Sequence, residues 1–317
     1  MIRIDNLTKD YGSFRALNSI NFKIEDGEIL GFLGPNGAGK TTTMQIMTSY
    51  LAPTDGNVIV DDLNIIENPQ EIKKQIGYLP EHNPLYEDMT AYDFLEFVSQ
   101  LRNIDSNSIK KRIEEVVELC GLSDVVHRKI GVLSKGYQQR VGLGQSIIHD
   151  PNILILDEPT SGLDPNQIAE IRELIKRLGQ KKTVMISSHI LQEIKATAER
   201  MVIIDEGEIS ADGTMDELMD KFQGATILDL EIAEADSNDI KSIESLHDDV
   251  NITDLDNEGE NIKVSLEYPQ EVDLRSEVFQ YAGDKGWQIL EMSRSETSLE
   301  DVFRQLTVEK GGTNDNE

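Results

Sequence analysis

The chain has 317 residues, a length that suits two domains better than one. Its formal net charge of -29 opposes electrostatic capture by nucleic acid or by an anionic lipid surface, since both need a basic face. The single cysteine, Cys120, excludes an internal disulfide framework, and no run approaches the roughly 20 apolar residues of a membrane span. The opening Met1-Ile2-Arg3-Ile4-Asp5 has no charged region followed by an apolar one, so the expectation is a reducing cytoplasm, with any membrane role supplied by a partner.

Short β-rich pieces alternate with turns over residues 1–34, at 2–4, 20–24 and 29–33, and the last ends in a glycine-rich loop that opens a helix. Further apolar runs at 58–60, 153–156, 183–187 and 201–204 are short and continuous. That pattern suits strands covered on both faces, and it predicts an α/β fold with a mostly parallel sheet. Between about 81 and 150 the pattern turns helical, with Phe94, Leu95, Phe97 and Val98 followed by Ile113, Val116, Val117 and Leu119, and reads as a helical insertion.

From about residue 223 the composition changes: residues 225–317 hold 24 Asp and Glu against 7 Lys and Arg. The expected order there is strand 227–232, helix 239–246, strand 250–255, a turn at Asn257-Glu258-Gly259, strand 262–266, helix 272–282, strand 287–292 and helix 299–306. Up to its fourth strand this is the split-βαβ, ferredoxin-like order, so 223–310 reads as a small acidic α+β domain after a first domain of 1–222. The tail 311–317 is expected to be disordered.

Gly34-Pro35-Asn36-Gly37-Ala38-Gly39-Lys40-Thr41, followed by Thr42, satisfies the phosphate-loop pattern, with a predicted strand before it and a helix after it. The glycines let the backbone wrap an anion and the helix start offers free N–H groups. Lys40 can reach the β and γ phosphates, and Thr41 can ligate Mg²⁺. Downstream, Ile153-Leu154-Ile155-Leu156-Asp157-Glu158 is an apolar strand ending in two acids. Asp157 is placed to hold a water on Mg²⁺ and Glu158 to polarise the attacking water.

A phosphate loop is shared by kinases, GTPases, helicases and transporters, and the following residues choose among them. Leu133-Ser134-Lys135-Gly136-Tyr137-Gln138-Gln139-Arg140 resembles the signature of ABC ATPases. Ser161-Gly162-Leu163-Asp164-Pro165 resembles their D-loop, Ser187-Ser188-His189 their switch histidine, and Tyr11 stands where that family stacks an aromatic on adenine. The elements fall in the family's order across roughly residues 1–222. The resemblance implies a P-loop NTPase domain of ABC type with an antiparallel β-subdomain and a helical insertion. It also implies ATP and Mg²⁺ as ligands, with Asp164 among the nucleotide-binding residues, and a head-to-tail homodimer or heterodimer in which Ser134 and Gly136 meet the nucleotide held by the other subunit. The catalytic set it implies is Glu158, His189 and Glu81, with Thr41, Asp157 and Glu81 around the metal. Integral membrane permease subunits would be the partners, placing the chain on the inner face of the cell membrane, with no nucleic acid expected.

Two departures from the family pattern stand out. Glu81 occupies the usual Q-loop glutamine position, and Lys135 and Tyr137 replace the second-position glycine and the glutamine of the commonest signature. Within the family, residues 76–86 and 298–303 resemble the ABC-2 type branch, and especially the gliding-motility ATPase subunits of Bacteroidetes. The rival function is a soluble ABC ATPase switching a ribosome or nucleic-acid partner. It is disfavoured by the acidic charge, the single phosphate loop and the lack of a long heptad insertion. A monomeric P-loop kinase would leave the signature, the D-loop motif and His189 without a role.

Overall fold

The computed structural model describes residues 1–222, 226–235, 240–247, 249–256, 261–269 and 272–296. The chain divides into two compact units, Met1–Met215 and Asp216–Glu317.

In the first unit, β1 (Ile2–Tyr11) and β2 (Phe14–Ile24) form a hairpin, and β4 (Asp55–Val60) and β5 (Leu63–Asn64) extend it into an antiparallel sheet ordered β2-β1-β4-β5. The run 58–60, read as a strand covered on both faces, therefore belongs to this sheet. Its burial alternates, Val58 and Val60 facing the core with Ile59 between them half-buried, so three residues were too few to separate the two patterns.

The second sheet is ordered β10-β9-β3-β8-β7-β6. Its members are β3 (Ile29–Leu33), β6 (Ile76–Leu79), β7 (Ile153–Leu156), β8 (Thr183–Ser188), β9 (Arg200–Asp205) and β10 (Glu208–Thr214). The first five are parallel and β10 closes one edge antiparallel. Every residue of β3, β7 and β8 is buried, which is why these segments are unbroken apolar runs. Phe22 of the antiparallel sheet stacks on Phe32 of β3 at 5.4 Å between ring centres, tying the two sheets into one core. Strand β6 was not foreseen, because Ile76-Gly77-Tyr78-Leu79 is short and carries a glycine.

The helical stretch contains α3 (Ala91–Leu101), α4 (Ser106–Cys120) and α5 (Lys135–Ile147), after α1 (Lys40–Met47) and α2 (Pro69–Gln75). Thr90 caps α3 by accepting from Asp93 N, Asp105 caps α4 by accepting from Asn107 N, and Gly121, at φ 64°, ends α4 in the left-handed conformation. The remaining helices of this unit are α6 (Pro165–Gly179) and α7 (Leu191–Lys195); α8 (Met215–Phe222) follows. Among the described residues no helix is long and apolar enough to cross a membrane.

The second unit holds β11 (Thr226–Ala233), a 3₁₀ turn (Lys241–Leu246), β12 (Asn251–Asp256), β13 (Asn261–Tyr268), α9 (Arg275–Lys285) and β14 (Gln288–Glu296). The sheet is antiparallel, in the order β12-β13-β11-β14 that a split βαβ unit requires. The expected helix at 272–282 begins three residues later, and its Gly286, at φ 77°, supplies the stop. The Asn257-Glu258-Gly259 turn, the helix at 299–306 and the tail lie outside the described residues.

Gly77 lets β6 pass directly under α5: a Cβ there would lie 2.1 Å from the Ser146 carbonyl oxygen and 2.8 Å from Leu154 Cδ2. Because the obstacle is backbone, Gly77→Ala should cost about 1–3 kcal/mol. The expected readout is a lower melting temperature of the full chain, with an unchanged one showing that β6 and α5 can separate freely.

Candidate functional site

The carboxyl ends of β3, β7 and β8 lie side by side, with Leu33 paired to Ser188 and Leu156 to Ile186. This is the edge at which open parallel sheets present their ligand sites. Residues 34–39 turn back from β3 and deliver the chain to α1 at Lys40. Gly39 has φ 109°, and a Cβ there would lie 2.6 Å from Leu17 Cδ2 and 2.9 Å from the Ala16 carbonyl oxygen, so the loop closes only with glycine. Lys40, 6% exposed, donates from Nζ to the carbonyl oxygens of Gly34 at 2.7 Å and Pro35 at 3.2 Å. The same ammonium stands 3.4 Å from Glu158 Oε1.

Asp157 and Glu158 leave β7 beneath this loop, both buried. The Ser187 hydroxyl joins them: it donates to Asp157 Oδ1 at 2.6 Å and accepts from Glu158 N at 2.8 Å. Glu158 sits at φ 46°, a conformation unfavourable for a residue with a Cβ, and the Ser187 bond to its amide helps to hold it there. Burial raises the Asp157 acid above the usual carboxylate range. The Ser187 and Thr41 hydroxyls pull it back, while the charges of Glu81 and Glu158 push it further up. His189 brings Nδ1 to 3.0 Å from Glu158 Oε2.

An open cleft of about 380 Å³ lies above, lined by Tyr11, Asn36, Gly37, Gly39, Lys40, Thr41, Thr42, Glu81 and Glu158, together with Phe14 and Ala16. Phe14 is the cleft aromatic that motif reading missed. It pairs with Tyr11 across a two-residue hairpin loop, both rings are exposed, and Lys9 Nζ stands 5.3 Å from the Tyr11 ring centre. The signal was present as Tyr11-Gly12-Ser13-Phe14, a tight turn between two β-rich runs. Gly34, Pro35 and Ala38 complete the loop without lining the cleft.

Ser134, Gly136 and Asp164 lie elsewhere. Ser134 caps α5, accepting from Tyr137 N, and Asp164 caps α6, its Oδ1 accepting from Asn166 N and Gln167 N at 3.0 Å each. Gly136 gives room to Gln167, whose Cδ would be 2.7 Å from a Cβ. The three residues line a separate cavity of about 320 Å³ with Tyr137, Arg140 and Gln167, and it shares no lining residue with the phosphate-loop cleft.

A phosphate loop at the carboxyl edge of a parallel sheet, followed by a helix and flanked by a carboxylate from another strand, defines a P-loop nucleoside triphosphatase. Comparison with known proteins narrows this class. Residues 17–161 match the family described as ABC transporter, and 213–307 match the ATP-binding protein DrrA1-3-like C-terminal domain. The bacitracin transport ATP-binding protein BcrA of Bacillus licheniformis is 35% identical over 315 residues, covering 99% of this chain and 98% of that protein. The linearmycin resistance ATP-binding protein LnrL of Bacillus subtilis is 31% identical over 310 residues, covering 97% and 98%. Among solved structures, a dimeric ATP-binding cassette in a post-hydrolysis state with ADP and Pi is 26% identical at a TM-score of 0.62, covering 68% of this chain and 99% of that one. The chain therefore belongs to the ABC transporter ATP-binding family, in the DrrA-like, ABC-2 type branch, and is an ATP-hydrolysing transporter subunit.

Removing the Ser187 hydroxyl strips a buried carboxylate and a buried amide of one partner each. Ser187→Ala should cost about 1–3 kcal/mol of stability and lower ATP turnover. Chemical denaturation and a steady-state ATPase assay would show this, and wild-type behaviour in both would remove Ser187 from the site.

Proposed function

We propose that this chain binds ATP with Mg²⁺ between two head-to-tail subunits and hydrolyses it to move separate membrane subunits. The observation that carries the reading is the separation of the phosphate-loop cleft from the Ser134, Gly136 and Asp164 cavity within one chain. A helix start capped by serine suits the γ-phosphate, and a second subunit brings it to the first subunit's nucleotide. ATP then forms part of the interface, and its cleavage weakens that interface.

The residues present fit Mg²⁺: Asp157 Oδ2 is buried without a hydrogen-bond partner, in an acid whose neighbours are Thr41 and two carboxylates. Asp157, Thr41 and Glu81 would hold the metal, which when bound supplies charge neutralisation at the phosphates. Lys40 leaves its loop carbonyls for the β and γ phosphates, and Tyr11 with Phe14 faces the adenine. Glu158 accepts a proton from the attacking water while His189 holds its carboxylate in place. The β–γ phosphate bond breaks, releasing ADP and phosphate.

The full-length likeness to proteins named for bacitracin transport and linearmycin resistance supports transport linked to resistance. The gliding-motility resemblance rests on residues 76–86 and on 298–303, and the latter lie outside the described residues. Attachment to the inner face of the membrane would come through the permease subunits.

Glu158→Gln keeps shape and hydrogen bonding but removes the basic charge, so hydrolysis should fall about 100-fold or more while ATP binding persists. Size-exclusion chromatography with ATP should show a trapped dimer; near-normal turnover would remove Glu158 as the base.

The permease is expected at the loop after Glu81. Tyr86 is 55% exposed there, its ring edge-on to Phe94 at 6.0 Å and Phe97 at 5.7 Å. An exposed aromatic braced in this way suits a docking anchor. Tyr86→Ala with Leu85→Asp should shift the protein from the membrane fraction to the soluble one, with ATP turnover of the purified subunit retained. Continued sedimentation with membranes would place the docking surface elsewhere.

A further inference from the structure

A second cavity beside the nucleotide cleft, of about 360 Å³, is lined by two opposite charges, Glu81 and Lys135, with Gln138 and Ser161 among its other walls. Glu81 also lines the nucleotide cleft, so it stands on the partition between the two spaces. The loop that carries it is keyed to the helix that carries Lys135: Asn83 packs so closely on Gly142 of α5 that a Cβ there would lie 1.8 Å from Asn83 Nδ2. On the far side, Lys135 crosses Gly162, where a Cβ would lie 2.0 Å from its Nζ. Three segments, the loop after β6, the start of α5 and the turn before α6, thus line one cavity, and Lys135 spans from it to the turn before α6.

Charge explains why a cation belongs there. The nucleotide cleft is lined by the carboxylate of Glu158 and the ammonium of Lys40, 3.4 Å apart, and the charges of Glu81 and Glu158 both act on the buried Asp157. The carboxylate at 81 adds repulsion toward a polyphosphate, which a positive charge behind it eases. We propose that Lys135 is a positioning residue that pairs with Glu81 across this cavity, compensating its charge and coupling the nucleotide cleft to the start of the signature helix and to residues 161–163. The proposal rests on the ATPase reading above and adds a link within one subunit.

The test is a charge-rescue series on the full chain, with ATP turnover and ATP KM measured together. Lys135→Glu, which faces Glu81 with a like charge, should lower kcat about tenfold with the ATP KM within about twofold of wild type. Adding Glu81→Gln should restore kcat to within about twofold of Glu81→Gln alone, and Lys135→Arg should retain most activity. Lys135→Gln is the milder companion should the reversed charge disturb folding: it should lower kcat about threefold, with no further loss on adding Glu81→Gln. Additive losses in the double variants, or a raised KM at constant kcat, would overturn the pairing, the latter placing Lys135 on the nucleotide. Absence of hydrolysis in the wild-type chain would strike the ATPase reading instead, so the two failures are distinct.

Discussion

The structure turns on a buried ammonium held against a buried carboxylate. Lys40, Asp157 and Glu158 are nearly removed from water, and such groups cost several kcal/mol each unless every charge meets a partner. Here Lys40 is held by two loop carbonyls and Glu158, and Asp157 by the Ser187 hydroxyl at Oδ1, which leaves Oδ2 as the oxygen open to a metal. That precision needs a platform that does not yield, which three adjacent, fully buried strands provide. The apolar runs of β3, β7 and β8 are thus the structural condition for the polar cluster at their ends. The positive φ of Glu158 fits the same account, as a strained backbone persists where its surroundings over-determine it.

From this cluster outward, glycines mark the places where segments touch. Gly77 admits β6 beneath α5, Gly142 receives Asn83, and Gly162 is crossed by Lys135. The helical segment is therefore joined to the sheet edge by contacts that a single methyl group would disturb, so a shift at the nucleotide cleft has a physical route to α5. Ser134 and Asp164 act as helix caps: their side chains order the starts of α5 and α6, and both residues line a common cavity.

The second unit has a different balance. Its apolar residues point to one face of the sheet, as in the alternation of Leu228, Leu230 and Ile232 along β11, while Asp229 and Glu231 take the other. On that outer face Glu231 lies directly opposite Glu291, and Asp229 is steadied by a 2.6 Å bond from Ser265. Like charges facing across strands oppose pairing, but on its other side Glu231 faces Lys263 and accepts from Asn261 Nδ2 at 2.8 Å, while the inner face packs around Tyr268 and Trp287.

The phosphate loop, Asp157 and Glu158, and the parallel strands behind them were legible in the sequence because each depends on neighbouring residues: a loop that needs glycine, a strand whose side chains are all covered, a carboxylate at its end. The split-βαβ order of the second unit was legible for the same reason, as alternation and turns are local signals. Tertiary structure alone decided which sheet received residues 58–60, that β6 exists, and that Phe14 shares the cleft with Tyr11. It also decided that Ser187 joins Asp157 to Glu158, and that Glu81 and Lys135 line one cavity although 54 positions separate them. These are pairings between distant segments, and they exist only once the buried sheet has set the strands in order and brought their ends to one edge.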